Sequence, residues 1–89
     1  MPSAELLVTN RLGLHARASA KLTQVASAFQ SEIWLTRNGR RVNAKSIMGV
    51  MMLAAGTGAC ITVETEGADA QAALAAIREL VADRFGESE

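Results

Sequence analysis

The dipeptide Asn38-Gly39 constrains the fold of this chain more than any other pair of residues. Asparagine and glycine readily adopt positive φ values, which both central positions of a type I′ turn require. The stretch EIWLTRNGRRVN (residues 32–43) places a short strand-like run on each side of this pair. We therefore predict a tight β-hairpin in the middle of the chain.

The rest of the chain supplies two further strands and three helices. AELLVT (residues 4–9) predicts the first strand, and the alternation of Ala59, Ile61 and Val63 with polar neighbours predicts the last. We expect one helix to begin near His15 or Ala16, a short one to run from Ser46 as N-cap to near Gly56, and a final one to be capped by Asp69. The order β-α-β-β-α-β-α predicts an α+β open-faced sandwich, in which helices cover one face of an antiparallel sheet.

Length and composition limit the classes of function. Eighty-nine residues suit one domain over residues 1–89. Nine Lys and Arg balance nine Asp and Glu, and aromatic residues make up 3%, which argues against nucleic-acid binding by a basic field or by base stacking. The longest apolar run, IMGVMMLAAG, is about half of the roughly 20 residues that a membrane span needs. The lone Cys60 and the lack of a signal-like segment predict a cytoplasmic setting.

The only histidine, His15, stands where the first helix is expected to begin. Unpaired N–H groups and the positive end of a helix bind anions such as phosphate. A neutral imidazole is a nucleophile, and Arg17 can hold phosphoryl oxygens. A lone histidine at a helix start more often only caps or covers the helix end, and Arg17 would then be a solvated surface residue. Here Gly13 before it, Arg17 after it and the helix start favour a reactive group.

GLHARASAKL, followed at the expected distance by NAKSIMGVMMLAAGTG and by a closing strand and helix, resembles the HPr family. These are histidine-containing phosphocarriers of the bacterial phosphoenolpyruvate-dependent phosphotransferase system, and the resemblance covers essentially the whole chain. It implies sheet order 1-4-2-3, phosphorylation of His15 on Nδ1 by Enzyme I, a phosphoryl group steadied by Arg17, and transfer to IIA-type acceptors. It also implies that Ser46 is the serine that an HPr kinase phosphorylates in some bacteria.

The resemblance further implies a relay protein rather than an enzyme, without a metal or a cofactor, and we expect a monomer. One departure concerns the first turn of the helix, where the family usually has Arg-Pro-Ala and this chain has Arg17-Ala18-Ser19. Alanine keeps the backbone N–H that proline lacks and forms helix well. We therefore expect the site to be preserved.

The short second helix is unusually apolar for its length, and a small domain cannot bury all its sides. Methionine side chains adapt to several partner surfaces, and Gly49 would reduce the bulk at such a contact. In the family this helix forms a docking face, which implies that Ile47, Met48 and Met51 are contact residues; we expect Met52 to be buried. The alternative is that all four residues fill the core.

Two other functions remain open. The element order and the arginines of the hairpin would suit a small nucleic-acid or ligand-binding α+β module. A hydrolase using Ser46 with His15 would need a nucleophile elbow, which the sequence lacks, and an acid to orient His15. The sequence offers no obvious acid, and we expect the segment GESE (residues 86–89) to be frayed.

Overall fold

The computed structural model describes residues 2–88. The element order β-α-β-β-α-β-α is confirmed. The strands are β1 (Ser3–Leu7), β2 (Glu32–Arg37), β3 (Arg40–Asn43) and β4 (Cys60–Glu66). The helices are α1 (Ala16–Ser27), α2 (Ile47–Met52) and α3 (Ala70–Ala82), and a 3₁₀ turn, Arg84–Gly86, follows α3.

The four strands form one antiparallel sheet in the order β1-β4-β2-β3, as the family resemblance implied. Strand β4 lies between β1 and β2, so that Val63 pairs with both Ala4 and Leu35. Along β4, buried Ile61, Val63 and Thr65 alternate with more exposed neighbours. This alternation shows that one face of the sheet is covered and the other is open.

The hairpin turn has the conformation that Asn38-Gly39 predicted. The φ values are 51° at Asn38 and 79° at Gly39, both positive as a type I′ turn requires. On either side of the turn, Arg37 pairs with Arg40 across the two strands.

The core lies between the sheet and the helices. Leu22 and Ala26 face it from α1, and Ala73, Leu74, Ile77 and Val81 face it from α3. Phe85, in the turn after α3, is fully buried and was not placed from the sequence. Within residues 2–88, no helix has both the length and the apolar character that crossing a bilayer would take.

The ends of two helices differ from expectation. Helix α2 ends at Met52 instead of continuing towards Gly56, because Ala54 adopts a left-handed conformation with φ 51°. Asp69 does precede α3, but its side chain makes no capping bond there. Its carboxylate instead accepts hydrogen bonds from the amides of Gln30 (3.0 Å) and Ser31 (2.9 Å) and from the Ser31 hydroxyl. These bonds tie the loop before β2 to the start of α3.

Candidate functional site

The loop that leads to His15 is held against the segment that follows α2. The Leu14 amide donates to the Ala55 carbonyl oxygen at 2.8 Å, and the Leu14 side chain is buried. Gly13 has φ +65°, and a Cβ atom there would lie 2.6 Å from the Ala55 oxygen and 2.7 Å from Gly56 Cα. Only glycine combines this conformation with so close an approach. The glycine therefore fixes where the chain enters α1.

His15 is the N-cap residue of α1, with φ −75° and ψ 178°. Its carbonyl oxygen accepts the first helical bond, from the Ser19 amide at 2.8 Å. Its imidazole makes no capping bond, so the alternative of a capping histidine side chain is wrong. The first turn of α1 contains no acidic residue, and the amides of residues 16–18 have no acceptor within the helix. This helix end can receive an external anion.

Ala18 is fully buried beneath the first turn, and α1 begins at Ala16 without the usual proline of the family. The Ser19 hydroxyl donates to the Leu14 carbonyl at 3.2 Å and closes the turn from within. The helix start is therefore preserved without proline, and the expected preservation of the phosphoryl site stays a prediction.

A carboxylate that the sequence analysis missed contacts His15. Glu87 Oε2 lies against His15 Nε2, while Glu87 Oε1 accepts from Asn10 Nδ2 at 3.0 Å. The side chains of His15 and Glu87 are 28% and 16% exposed. The hydrogen bonds from Asn10 and then from His15 hold the pKa of Glu87 below its usual value. The sequence suggested no acid beside His15, and this is wrong; the expected fraying is wrong at residue 87, while residue 89 of that segment lies outside the described residues.

The signal that could have shown the segment after α3 to be ordered is Phe85. Phe85 is the single large apolar residue among polar ones in DRFGESE, which indicates that it is buried in the core. A buried residue at this position holds the residues next to it against the fold. The pairing itself joins residues 72 positions apart, which local periodicity does not record.

Arg17 is exposed and makes no hydrogen bond or ion pair within residues 2–88. Together with Glu87 it lines a shallow pocket of about 250 Å³, whose other lining residues are Arg11, Leu12 and Ser88. Glu87 belongs both to this pocket and to the contact with His15. Within residues 2–88 the Arg17 guanidinium is thus unpaired, and it lines a pocket that shares Glu87 with the imidazole contact.

Ser46 is the N-cap of α2, as predicted. Its hydroxyl oxygen accepts from the Gly49 amide at 3.2 Å and the residue is exposed. The His15 loop contacts Ala55, beyond the other end of α2. Ser46 and His15 are therefore associated with opposite ends of this helix, which argues against a hydrolase in which they act on each other.

The outer side of α2 is an apolar patch, formed by Ile47, Met48, Met51 and Met52. Ile47 is 40% exposed, Met48 69% and Met51 41%, which confirms that they are not core residues. Met52 is 57% exposed, so its predicted burial is wrong. Positions i, i+1, i+4 and i+5 share one side of a helix, and the side facing the core is occupied by Val50.

Gly49 faces inward, contrary to its predicted role at an outer contact. A Cβ atom at this position would lie 3.3 Å from Val42 Cβ and 3.4 Å from Ser46 Cβ. The glycine therefore serves close packing of α2 against β3. It does not thin the apolar patch.

The basic residues of the hairpin are bound within the protein. Arg37 Nη1 donates to the Leu53 carbonyl at 3.0 Å and Arg40 Nη1 to the Met52 carbonyl at 3.3 Å, so both cap the end of α2. The Arg41 guanidinium lies 4.4 Å from the centroid of the Trp34 ring. These contacts give the arginines a structural role, and they remove the main observation that favoured a nucleic-acid or ligand-binding module.

Comparison with known proteins identifies relatives along most of the chain. Residues 2–83 match the profile of a family described as "PTS HPr component phosphorylation site". The phosphocarrier protein HPr of Cupriavidus necator is 58% identical over 89 residues, which cover both chains completely. The crystal structure of HPr-C-His from Thermoanaerobacter tengcongensis superposes with a TM-score of 0.97 at 39% identity, again over the full length of both. An HPr dimer from the same organism gives 0.79 at 40% identity and covers 98% of this chain.

Proposed function

The chain belongs to the PTS HPr family, and we propose that it acts as one domain, residues 1–89, that carries a phosphoryl group on His15. Members of this family are phosphocarriers of the phosphotransferase system, relay proteins rather than catalysts. The observation that supports His15 most strongly is its position at the start of α1, whose first turn contains no acidic residue, near Arg17, which has no partner within residues 2–88.

The proposed step is an exchange of one P–N bond for another. The lone pair on Nδ1 of His15 attacks phosphorus while the bond to the histidine nitrogen of the donor breaks. Nε2 is engaged by Glu87, which leaves Nδ1 as the nitrogen for the phosphoryl group. Arg17 and the first amides of α1 bind the phosphoryl oxygens, where negative charge is concentrated. In this proposal the chain contributes neither a metal nor a cofactor.

The proposed donor is Enzyme I, and the proposed acceptors are IIA-type proteins that take the phosphoryl group in the reverse of the same exchange. Both would dock on the apolar patch beside the His15 loop, with Ile47, Met48 and Met51 as contacts, joined by Met52, which is exposed as well. Such a relay would work in the cytoplasm. We propose that the working form is a monomer, although the related HPr dimer shows that the fold also supports dimers.

We also propose that an HPr kinase regulates the relay by phosphorylating Ser46. The hydroxyl is exposed and caps α2, so a phosphate there would meet unpaired amides and leave the helix intact. Its negative charge would stand immediately before Ile47 and Met48, at the edge of the apolar patch. A charge that must be desolvated when a partner docks opposes docking.

Labelling with phosphoenolpyruvate and Enzyme I tests the proposal directly. Wild-type protein should acquire one phosphoryl group that is stable in base and lost in acid, as a P–N bond is. His15→Ala should acquire none while its circular dichroism spectrum stays unchanged. Acid-labile phosphate retained by folded His15→Ala would refute the assignment.

A further inference from the structure

We propose that Glu87 is a positioning residue, which keeps the proton of His15 on Nε2 and so reserves Nδ1 for the phosphoryl group. The contact on which this depends joins Glu87 Oε2 to His15 Nε2. The inference rests on the proposed function and adds to it a residue that sets which ring nitrogen reacts.

The chain after α3 is shaped to bring this carboxylate back to the start of α1. Arg84, Phe85 and Gly86 are all left-handed, with φ values of 54°, 56° and 78°. Residues other than glycine adopt this conformation only when the surroundings enforce it. Here Phe85 is fully buried, and its carbonyl accepts from Lys21 Nζ at 2.7 Å. The segment is therefore fixed to α1 immediately before Glu87.

A second element fixes the other oxygen of the same carboxylate. Asn10 is fully buried, and its Nδ2 donates both to the Gly13 carbonyl at 2.8 Å and to Glu87 Oε1 at 3.0 Å. One amide group thus holds the loop before His15 and orients Glu87. With Oε1 occupied, Oε2 is the oxygen that faces the imidazole.

An ionised carboxylate can only accept hydrogen bonds, whereas a neutral imidazole has one donor and one acceptor nitrogen. The nitrogen against Glu87 must therefore be the donor, Nε2–H, which leaves an unprotonated lone pair on Nδ1. When Nδ1 bonds to phosphorus and the donor's P–N bond breaks, the ring gains positive charge while the Nε2 proton stays in place. Glu87 lies where it can balance that charge, as the aspartate does for the histidine of a serine protease.

The choice of nitrogen can be measured without any partner protein. Phosphoramidate, a small phosphoryl donor, should label wild-type protein on Nδ1 alone, as ³¹P NMR distinguishes the two phosphohistidine isomers. In Glu87→Ala the product should be a mixture of the Nδ1 and Nε2 isomers. ¹⁵N NMR of unphosphorylated Glu87→Ala should likewise show the Nδ1–H tautomer, which should be absent from wild type.

Transfer from phosphorylated Enzyme I provides the rate measurement. Loss of a hydrogen bond to a charged group should lower kcat in Glu87→Gln by about tenfold and leave KM unchanged. Glu87→Asp, which keeps the charge on a shorter side chain, should recover part of kcat. The matched control is Glu5→Gln, which removes one carboxylate from an exposed position on the open face of the sheet and should behave as wild type.

Exclusive Nδ1 labelling and a wild-type kcat in both Glu87→Ala and Glu87→Gln would overturn the inference while leaving the phosphocarrier function intact. A kcat that rises in Glu87→Gln would also overturn it, since the carboxylate would then be an inhibitory contact. Failure of the wild-type protein to accept phosphate on His15 would instead refute the proposed function. Thermal midpoints of all variants separate these results from a loss of folding.

Discussion

At the residue scale, the site depends on a few side chains whose roles differ sharply. In the proposed relay His15 offers the nucleophile, Glu87 contacts one of its ring nitrogens, and Arg17, which is unpaired within residues 2–88, lines the adjacent pocket. His15 and Arg17 could be predicted as a pair from the sequence because they lie two positions apart at a helix start. Glu87 could not, because its position depends on the burial of Phe85 and on three left-handed residues in succession.

Arg17→Ala should slow phosphoryl transfer from Enzyme I to His15 by roughly 100-fold, because a donor that stabilises charge on the transferring group is lost. The side chain is exposed and has no partner within residues 2–88, so the fold should be unaffected. Rapid-quench kinetics with thermal unfolding in parallel would measure both. Wild-type kinetics in this variant would reduce Arg17 to a surface residue.

At the scale of elements, α2 shows what helical periodicity can and cannot decide. Periodicity indicates that one side of such a short helix stays exposed, and the cap at Ser46 could be recognised from its residue type. Periodicity did not show that Met52 is exposed. Val50 takes the core position of α2, and the whole apolar patch lies on the outer side. The role of Gly49 was also predicted wrongly, because the residue that it packs against, Val42, belongs to β3 and not to the helix.

Met48→Asp should weaken binding to Enzyme I and to an IIA-type acceptor at least about tenfold, because it puts a charge at the centre of a desolvated contact. Since Met48 is 69% exposed, the variant should fold normally. Val50→Asp is the matched contrast on the buried side and should unfold the protein. Calorimetry that finds both affinities of Met48→Asp within twofold of wild type would reject docking through the apolar patch.

Ser46→Asp should raise the KM of Enzyme I for this protein and leave the thermal midpoint equal to or above that of wild type. The added charge favours the start of α2 but opposes desolvation of its neighbours. High salt should reverse part of the effect. An unaltered KM together with a collapsed midpoint would return Ser46 to the role of a plain helix cap.

At the scale of the whole molecule, the sheet order and the covered face follow from alternation, turn chemistry and the family resemblance. Contacts between loops follow from none of these. Asp69 illustrates the limit: its residue type indicates a helix cap, yet its carboxylate binds Ser31 and Gln30 of another loop. The sequence therefore predicted the position of Asp69 before α3. It did not predict the hydrogen bonds to Gln30 and Ser31, because those depend on how the loops pack in the folded protein.

The Asp69 tether makes stability depend on pH in acid. The hydrogen bond from the Ser31 hydroxyl, followed by that from the Gln30 amide, keeps the pKa of Asp69 below its ordinary value of 3.8. As pH falls, the Asp69 carboxylate is therefore protonated in the unfolded chain before it is protonated in the folded one. The stabilisation is fully present above pH 3.8 and is lost as pH falls through the lower pKa of the folded protein. Asp69→Asn should lower the thermal midpoint at pH 7 and flatten its decline below pH 4. An equally steep acid decline in the variant would contradict the role of this carboxylate.

The most direct test of the whole account is to follow one phosphoryl group through the protein. Protein labelled on His15 with [³²P]phosphoenolpyruvate and catalytic Enzyme I is purified and mixed with an excess of a IIA-type acceptor. The account predicts that the label leaves this chain and appears on the acceptor within the mixing experiment, with no free phosphate released. Label that stays on this chain, or that is lost only as inorganic phosphate, would contradict a relay through His15.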